Sequence, residues 1–259
     1  MKVLCIDIGN TSTHYGLVEN GSVRGPGNTP TAILDEQGQG LADILEEFQA
    51  PTASLDGLAF CSVVPEATKR LRAFLEARDL RPVFQLTSDN CTQLAINYPK
   101  PEEIGQDRLA NAIGAMALYE PPIIIIDLGT AVTFDVITRQ GYEGGIIAPG
   151  MAMMSRCLHE QTALLPEVRL DEPAVSAAFG KSTEEAIKVG CSVGFQGMVR
   201  ALYEGLRTEL HEREEGTVTV VATGGDAGAL PDNWLPDLVR NEHLALLGLA
   251  LAFDHGKSA

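Results

Sequence analysis

Two short phrases stand 120 residues apart in this chain. The first is Leu4-Cys5-Ile6-Asp7-Ile8-Gly9-Asn10-Thr11, the second Ile124-Ile125-Ile126-Asp127-Leu128-Gly129-Thr130. Each is an apolar β-run that stops at an acid, turns on a glycine and a hydroxyl residue, and returns as a second run, Thr13–Val18 in one copy and Val132–Thr138 in the other. A glycine lets a phosphate approach the backbone. The N–H groups and hydroxyls of such a turn can hold its oxygens, and the acid can hold a cation, usually through water. One copy alone could be a plain tight turn, since Asp, Gly and Asn are turn formers. A second acid at the end of a second buried strand weighs against that, because each needs a cation or donors to offset its burial. Two such devices facing each other would form a nucleotide cleft between similar halves, the chemistry of phosphoryl transfer.

Other residues could serve the same chemistry. Gly105-Gln106-Asp107-Arg108 opens a helical stretch. Asp107 reads as its N-cap or as a general base beside an arginine for an anion, and the two roles are compatible. Gly180-Lys181-Ser182 imitates the end of a P-loop, but the motif requires a glycine where Val175 stands. Ser182 with Glu185 reads better as a capping box, whose helix N-terminus could still meet an anion. Thr223-Gly224-Gly225 could let an adenine or ribose lie against the backbone, or could be a strand-to-helix turn. The five histidines have no ligand spacing, and no nucleophile elbow with a Ser/His/Asp set is present.

The elements that must position these residues come in two similar runs. Strands are expected at 2–8, 14–19 and 21–24, a polar loop over Gly25–Gly40, then a helix at 41–48, a strand at 57–63, a helix at 65–77 and a strand at 83–86. Residues 88–103 read as irregular, and the apolar spacing of Leu109, Ala112, Ile113 and Met116 predicts a helix over 107–119. After Pro121-Pro122 come strands at 123–127, 131–138 and 141–147, helices at 150–164 and 183–213, a strand at 217–222 and a helix at 241–254. The order predicts an α/β chain of two duplicated domains, residues 1–119 and 120–259.

Composition narrows the partners. A net charge of −16 over 259 residues argues against a nucleic-acid or anionic membrane partner, both of which need clustered positive charge. It also means that a polyanion such as ATP would need Mg²⁺ and backbone dipoles beside it. The apolar run Leu244–Phe253 is too short to span a bilayer. Five scattered cysteines with no Cys-x-x-Cys pair, and a start that runs from Met1-Lys2 straight into a strand, lead to the expectation of a cytoplasmic chain with reduced thiols and no structural zinc.

Taken in order, Asp7-x-Gly9-Asn10-Thr11, Tyr98-Pro99, Gly105-x-Asp107-Arg108, Asp127-x-Gly129-Thr130, Gly144-Gly145-x-Ile147-x-Pro149-Gly150, Ser182-Thr183 and Thr223-Gly224-Gly225 resemble the type III pantothenate kinases of the actin-like, sugar-kinase-like ATPase superfamily. The resemblance spans essentially the whole chain. It implies two ribonuclease-H-like domains and ATP-dependent phosphorylation of the primary hydroxyl of pantothenate, the first step of coenzyme A synthesis. It implies ATP contacts from Asp7, Ile8, Gly9, Asn10, Thr11, Ser12, Thr13, His14 and Thr130. It further implies Asp107 as proton acceptor, a pantothenate site from Tyr98, Gly105, Gln106, Asp107, Arg108 and Thr183, and Asp127 near a potassium or ammonium ion. A homodimer with its pantothenate sites near the interface is implied as well. This chain carries His14 where many relatives place a lysine, and Lys100-Pro101 where they read Asn-Pro. The alternatives are a phosphatase or an acetate- or sugar-type kinase of the same superfamily, or a non-catalytic regulator; the presence of Asp7, Asp107, Arg108 and Asp127 speaks against a degenerate site.

Overall fold

The computed structural model describes residues 1–34, 39–49, 55–80, 82–170, 178–213, 216–227, 230–231, 234–235 and 238–258. Part of the expected 25–40 loop and most of the stretch 171–179, read as non-strand, lie outside them. Strand β1 (Lys2–Ile8), with the apolar run Val3–Ile6 buried, pairs antiparallel with β2 (Ser12–Glu19) and parallel with β4 (Gly57–Ser62), which is buried at every position. With β3 (Ser22–Pro30) and β5 (Val83–Gln85) they form a sheet of order β3-β2-β1-β4-β5. The second half builds the same pattern from β6 (Ile123–Leu128), β7 (Ala131–Thr138), β8 (Gly141–Pro149), β9 (Thr219–Thr223) and β10 (Leu238–Arg240), in the order β8-β7-β6-β9-β10. The equivalence is strand for strand, so the duplication expected from the two acid-ended phrases extends to the whole sheet.

The chain groups into two compact units. The first holds residues 1–123, 135–144 and 243–259, the second 124–134 and 145–242. Helix α6 (Leu244–Ser258) falls in the second half by sequence yet packs in the first unit on α3 (Gln106–Leu118). Gly114 and Gly248 make that crossing possible, because a Cβ on Gly248 would overlap the Ala110 carbonyl and the Gly114 nitrogen. Seven consecutive residues of α3, Leu109–Ala115, are buried, as expected of a helix wrapped on all sides.

Several elements differ from expectation: α6 runs to Ser258 and not to 254, and β10 is a strand where none is expected. β3 runs on to Pro30 through Gly25, Pro26 and Gly27, where composition predicts a loop, because Ser12–Tyr15 of β2 pairs with Gly27–Pro30. β3 is an edge strand, where proline costs no ladder bond. α4 (Met151–Glu160) stops short of the expected residue 164. The other helices, α1 (Gln39–Gln49), α2 (Pro65–Ala77) and α5 (Thr183–Glu212), lie within a few residues of their predicted spans. Among the described residues no helix is long and apolar enough to cross a membrane.

Candidate functional site

In the first unit, β1 ends and the chain turns through Gly9, Asn10 and Thr11. The Gly9 N–H donates to Ser12 O at 3.0 Å and closes the turn. Asn10 and Thr11 are exposed, while Asp7, Gly9, Ser12 and His14 are half-buried. The side chains of Ile8 and Thr13 are fully buried, which leaves their backbone to face a phosphate. Thr13 Oγ1 lies 3.0 Å from Thr31 Oγ1, which donates to Gly9 O at 2.7 Å. Thr13 therefore braces the turn from inside. Burial, and then the nearby His243, hold His14 below the ordinary imidazole pKa, so at neutral pH it offers no full positive charge to a phosphate.

The start of α3 gathers the other candidates of this unit. Gly105 caps the helix and Gln106 is its first residue, so Asp107 stands inside the first turn and is not the N-cap. Its Oδ1 accepts from the Arg108 N–H at 2.8 Å. Burial raises the Asp107 pKa, against the opposing pull of the Arg108 N–H and guanidinium. The Gln106 Oε1 accepts from Ser62 N at 3.1 Å and Gln85 Nε2 at 3.2 Å, so this oxygen ties α3 to β4 and β5. Arg108 turns away to Asp135 on β7, with Nε and Nη2 at 2.8 and 2.7 Å from Asp135 Oδ1. Tyr142 on β8 donates its hydroxyl to the same oxygen at 2.6 Å. Tyr98 then meets Tyr142 edge to face, ring centroids 6.5 Å apart. It is delivered there because Ala95–Asn97 bonds along the start of β8, Tyr142 N to Ala95 O and Asn97 N to Tyr142 O, both at 2.8 Å.

Asp127, Thr130 and Thr183 belong to the second unit. There the turn after β6 is one residue tighter than its counterpart, with Gly129 N donating to Ala131 O at 3.1 Å. Gly150, which caps α4, donates its N–H to Thr130 O at 3.1 Å and so sets a helix N-terminus, a natural anion site, against this turn. Gly224 has φ +90°, and its turn is laid on the end of β6 by a bond from Asp226 N to Leu128 O at 2.9 Å. A Cβ there would stand 2.7 Å from Leu128 N and run into Asp127. Gly224 thus answers to a close approach at Asp127, while a Cβ on Gly225 would meet nothing within 4 Å. Thr183 is exposed as the first residue of α5, beside the cap Ser182, whose Oγ accepts from Glu185 N at 3.1 Å. Glu185 returns its carboxylate to Lys181 N at 2.7 Å, one residue earlier than the capping box expects.

Asp135, Tyr142, Thr31 and Cys61 escaped the sequence reading. Asp135 left a trace, a lone acid among Val132, Phe134, Val136 and Ile137. No trio of His, Cys, Asp or Glu side chains converges among the described residues. A single strand-end carboxylate suits a monovalent cation, or an Mg²⁺ that keeps its waters and the phosphates as ligands.

The chain matches the model of the type III pantothenate kinase family over residues 3–205. It is 40% identical to the type III pantothenate kinase of Methylacidiphilum infernorum, over 96% of this chain and 87% of that one. With the Akkermansia muciniphila type III pantothenate kinase it shares 37% identity, over 97% and 100%. Among solved structures it resembles a Baf family transcriptional activator from Campylobacter jejuni, with TM-score 0.58, 17% identity and 99% and 100% coverage. It also resembles the 2-hydroxyisocaproyl-CoA dehydratase activator of Clostridium difficile bound to ADPNP, with TM-score 0.52, 14% identity and 100% and 96% coverage. These two likenesses concern the fold. By its match along the sequence, this chain belongs to the type III pantothenate kinase family.

Proposed function

We propose that this protein transfers the γ-phosphoryl group of ATP to the primary hydroxyl of pantothenate, giving ADP and 4′-phosphopantothenate at the entry to coenzyme A synthesis. The observation that carries this reading, beside family membership, is Asp107. It is a half-buried carboxyl with a raised pKa, set next to an arginine whose guanidinium is fixed in place. Phosphoryl transfer asks a protein mainly for position and charge compensation. Asp107 takes the proton of the attacking hydroxyl as its oxygen bonds to the γ-phosphorus and the bond to ADP breaks. A raised pKa makes it a better proton acceptor than an exposed carboxylate. Arg108 holds the carboxylate of pantothenate, that substrate's one charge, and Tyr98 and Gly105 line the same site. Thr183 is a further substrate contact.

The turn Asp7–His14 offers backbone N–H groups and the Asn10, Thr11 and Ser12 side chains to the phosphates. Thr130 and the N-terminus of α4 make the nucleotide contact in the second unit. Asp7 would hold Mg²⁺, and Asp127 would hold potassium or ammonium. When bound, these cations supply the positive charge that a chain of net −16 lacks. We further infer a sequence boundary near Glu120, between residues 1–119 and 120–259, a homodimer, and a cytoplasmic location, the setting of its reaction.

The test is ADP release by purified protein with ATP and Mg²⁺, with and without pantothenate, in potassium and then in sodium buffer. Release that requires both pantothenate and potassium is expected. Release indifferent to pantothenate would overturn the assignment and favour another acceptor or a regulatory role.

A further inference from the structure

We propose that Asp135 is the positioning residue for pantothenate, fixing both Arg108 and Tyr98, and that it acts on the carboxylate end of the substrate and not on the transferred phosphate. The inference rests on the kinase reading above.

Asp135 lies in the middle of β7 with no exposed surface. Its Oδ1 receives three donors, Arg108 Nε, Arg108 Nη2 and the Tyr142 hydroxyl, all within 2.8 Å. Its Oδ2 is buried with no hydrogen-bond partner. A carboxylate that leaves one oxygen unmet in the core is a poor way to stabilise a sheet. A well-packed apolar residue in its place is often neutral or better. What the arrangement does achieve is orientation. An arginine has five donors in a rigid fork. With Nε and Nη2 held on one carboxylate oxygen, the plane of the guanidinium is fixed. The same Asp135 oxygen holds the Tyr142 hydroxyl, and Tyr142 in turn carries Tyr98 on its ring edge. Two residues that reach the substrate site from different segments therefore share one anchor. Burial lifts the Asp135 pKa to about 6 against the pull of Arg108, so the pair is ionised at neutral pH, as the anchoring requires.

The anchor makes a prediction that a merely structural residue would not. Asp135→Asn keeps the shape of the side chain but loses the charge that aligns the guanidinium. It is compared with the parent protein on pantothenate and on pantothenol, the analogue in which the carboxylate is replaced by an alcohol. The expected result is a KM for pantothenate raised about tenfold, the effect of weakening one hydrogen-bonded contact to a charged group, with kcat within about twofold and KM for pantothenol unchanged. An equal rise for both substrates, no rise for either, or a fall in KM for pantothenate would overturn the proposal. The last would mean that Asp135 competes with the substrate for Arg108. Should Asp135→Asn fail to fold, Tyr142→Phe removes one donor from the anchor and keeps the ring. It is expected to shift pantothenate KM in the same selective way, and an unselective shift overturns the proposal equally. If the parent protein shows no pantothenate-dependent turnover, the kinase reading itself has failed, an outcome separate from the others.

Discussion

Cys61 Sγ donates to Asp7 Oδ1 at 3.1 Å across the parallel pair β1 and β4, where the two residues are direct register partners. The acid that ends β1 is thus held by a thiol that cannot leave its strand. Burial first, and then the negative fields of Asp7 and Asp107, push the Cys61 thiol well above its ordinary pKa, so it stays a protonated donor. Iodoacetamide at pH 8 is expected to label the exposed Cys157 and spare Cys61 in the native protein, since only the thiolate reacts. Comparable labelling of both, read by peptide mass spectrometry, would show that the thiol is not the donor described.

Asp107 combines a catalytic task with a burial cost. Asp107→Asn is expected to lower kcat by about 10²–10⁴, the usual worth of a positioned base, with KM for pantothenate changed little. Because the folded pKa is raised, the folded chain binds more protons here than the unfolded one. The ionised group therefore subtracts from stability, and that subtraction grows as pH rises from the unfolded value toward the folded one. The variant should therefore melt no lower than the parent at pH 8, and the acid limb of the parent's kcat/KM should lie above the ordinary aspartate range, near 4. An acid limb at or below that range would remove Asp107 as the base.

Thr31 links the phosphate turn to the end of β3 through Gly9 O and Thr13 Oγ1. Thr31→Val keeps the β-branched shape and removes both bonds. The loss is expected to cost about 1–3 kcal/mol, the desolvation penalty of groups left unmet. Its kinetic mark should be a KM for ATP raised several-fold with KM for pantothenate unchanged. A rise confined to pantothenate would place this turn away from the nucleotide.

How far these features could be read in advance depended on whether their cause was local. The acid-glycine turns, the Pro65 helix start and the Ser182 cap are written in neighbouring residues, and the structure has all of them. The full reach of β3 was hidden because its cause is a partner strand that outweighs the glycines and proline in it. The pairing of Asp135 was hidden because Arg108 lies 27 residues earlier, so the lone acid among the apolar residues of β7 does not name its partner. The docking of α6 on α3 depends on Gly114 and Gly248, which signal nothing until the two helices touch.

Gly224 separates a turn glycine from a ligand glycine. Its φ of +90° disfavours any side chain, and a Cβ would also press on Asp127 and the Leu128 backbone. Gly224→Ala is expected to cost about 2 kcal/mol or more, a fall of about 4–8 °C in Tm for a chain of this size. Displacement of Asp127 should raise the potassium concentration needed for half-maximal activity, while Gly225→Ala, with nothing within 4 Å of its added Cβ, should leave both quantities near the parent values. The comparison is decisive for the cation. A Gly224→Ala protein that loses thermal stability yet keeps the parent's potassium response would show that Asp127 does not hold the ion, and would leave this turn a purely structural contact between β9 and the end of β6.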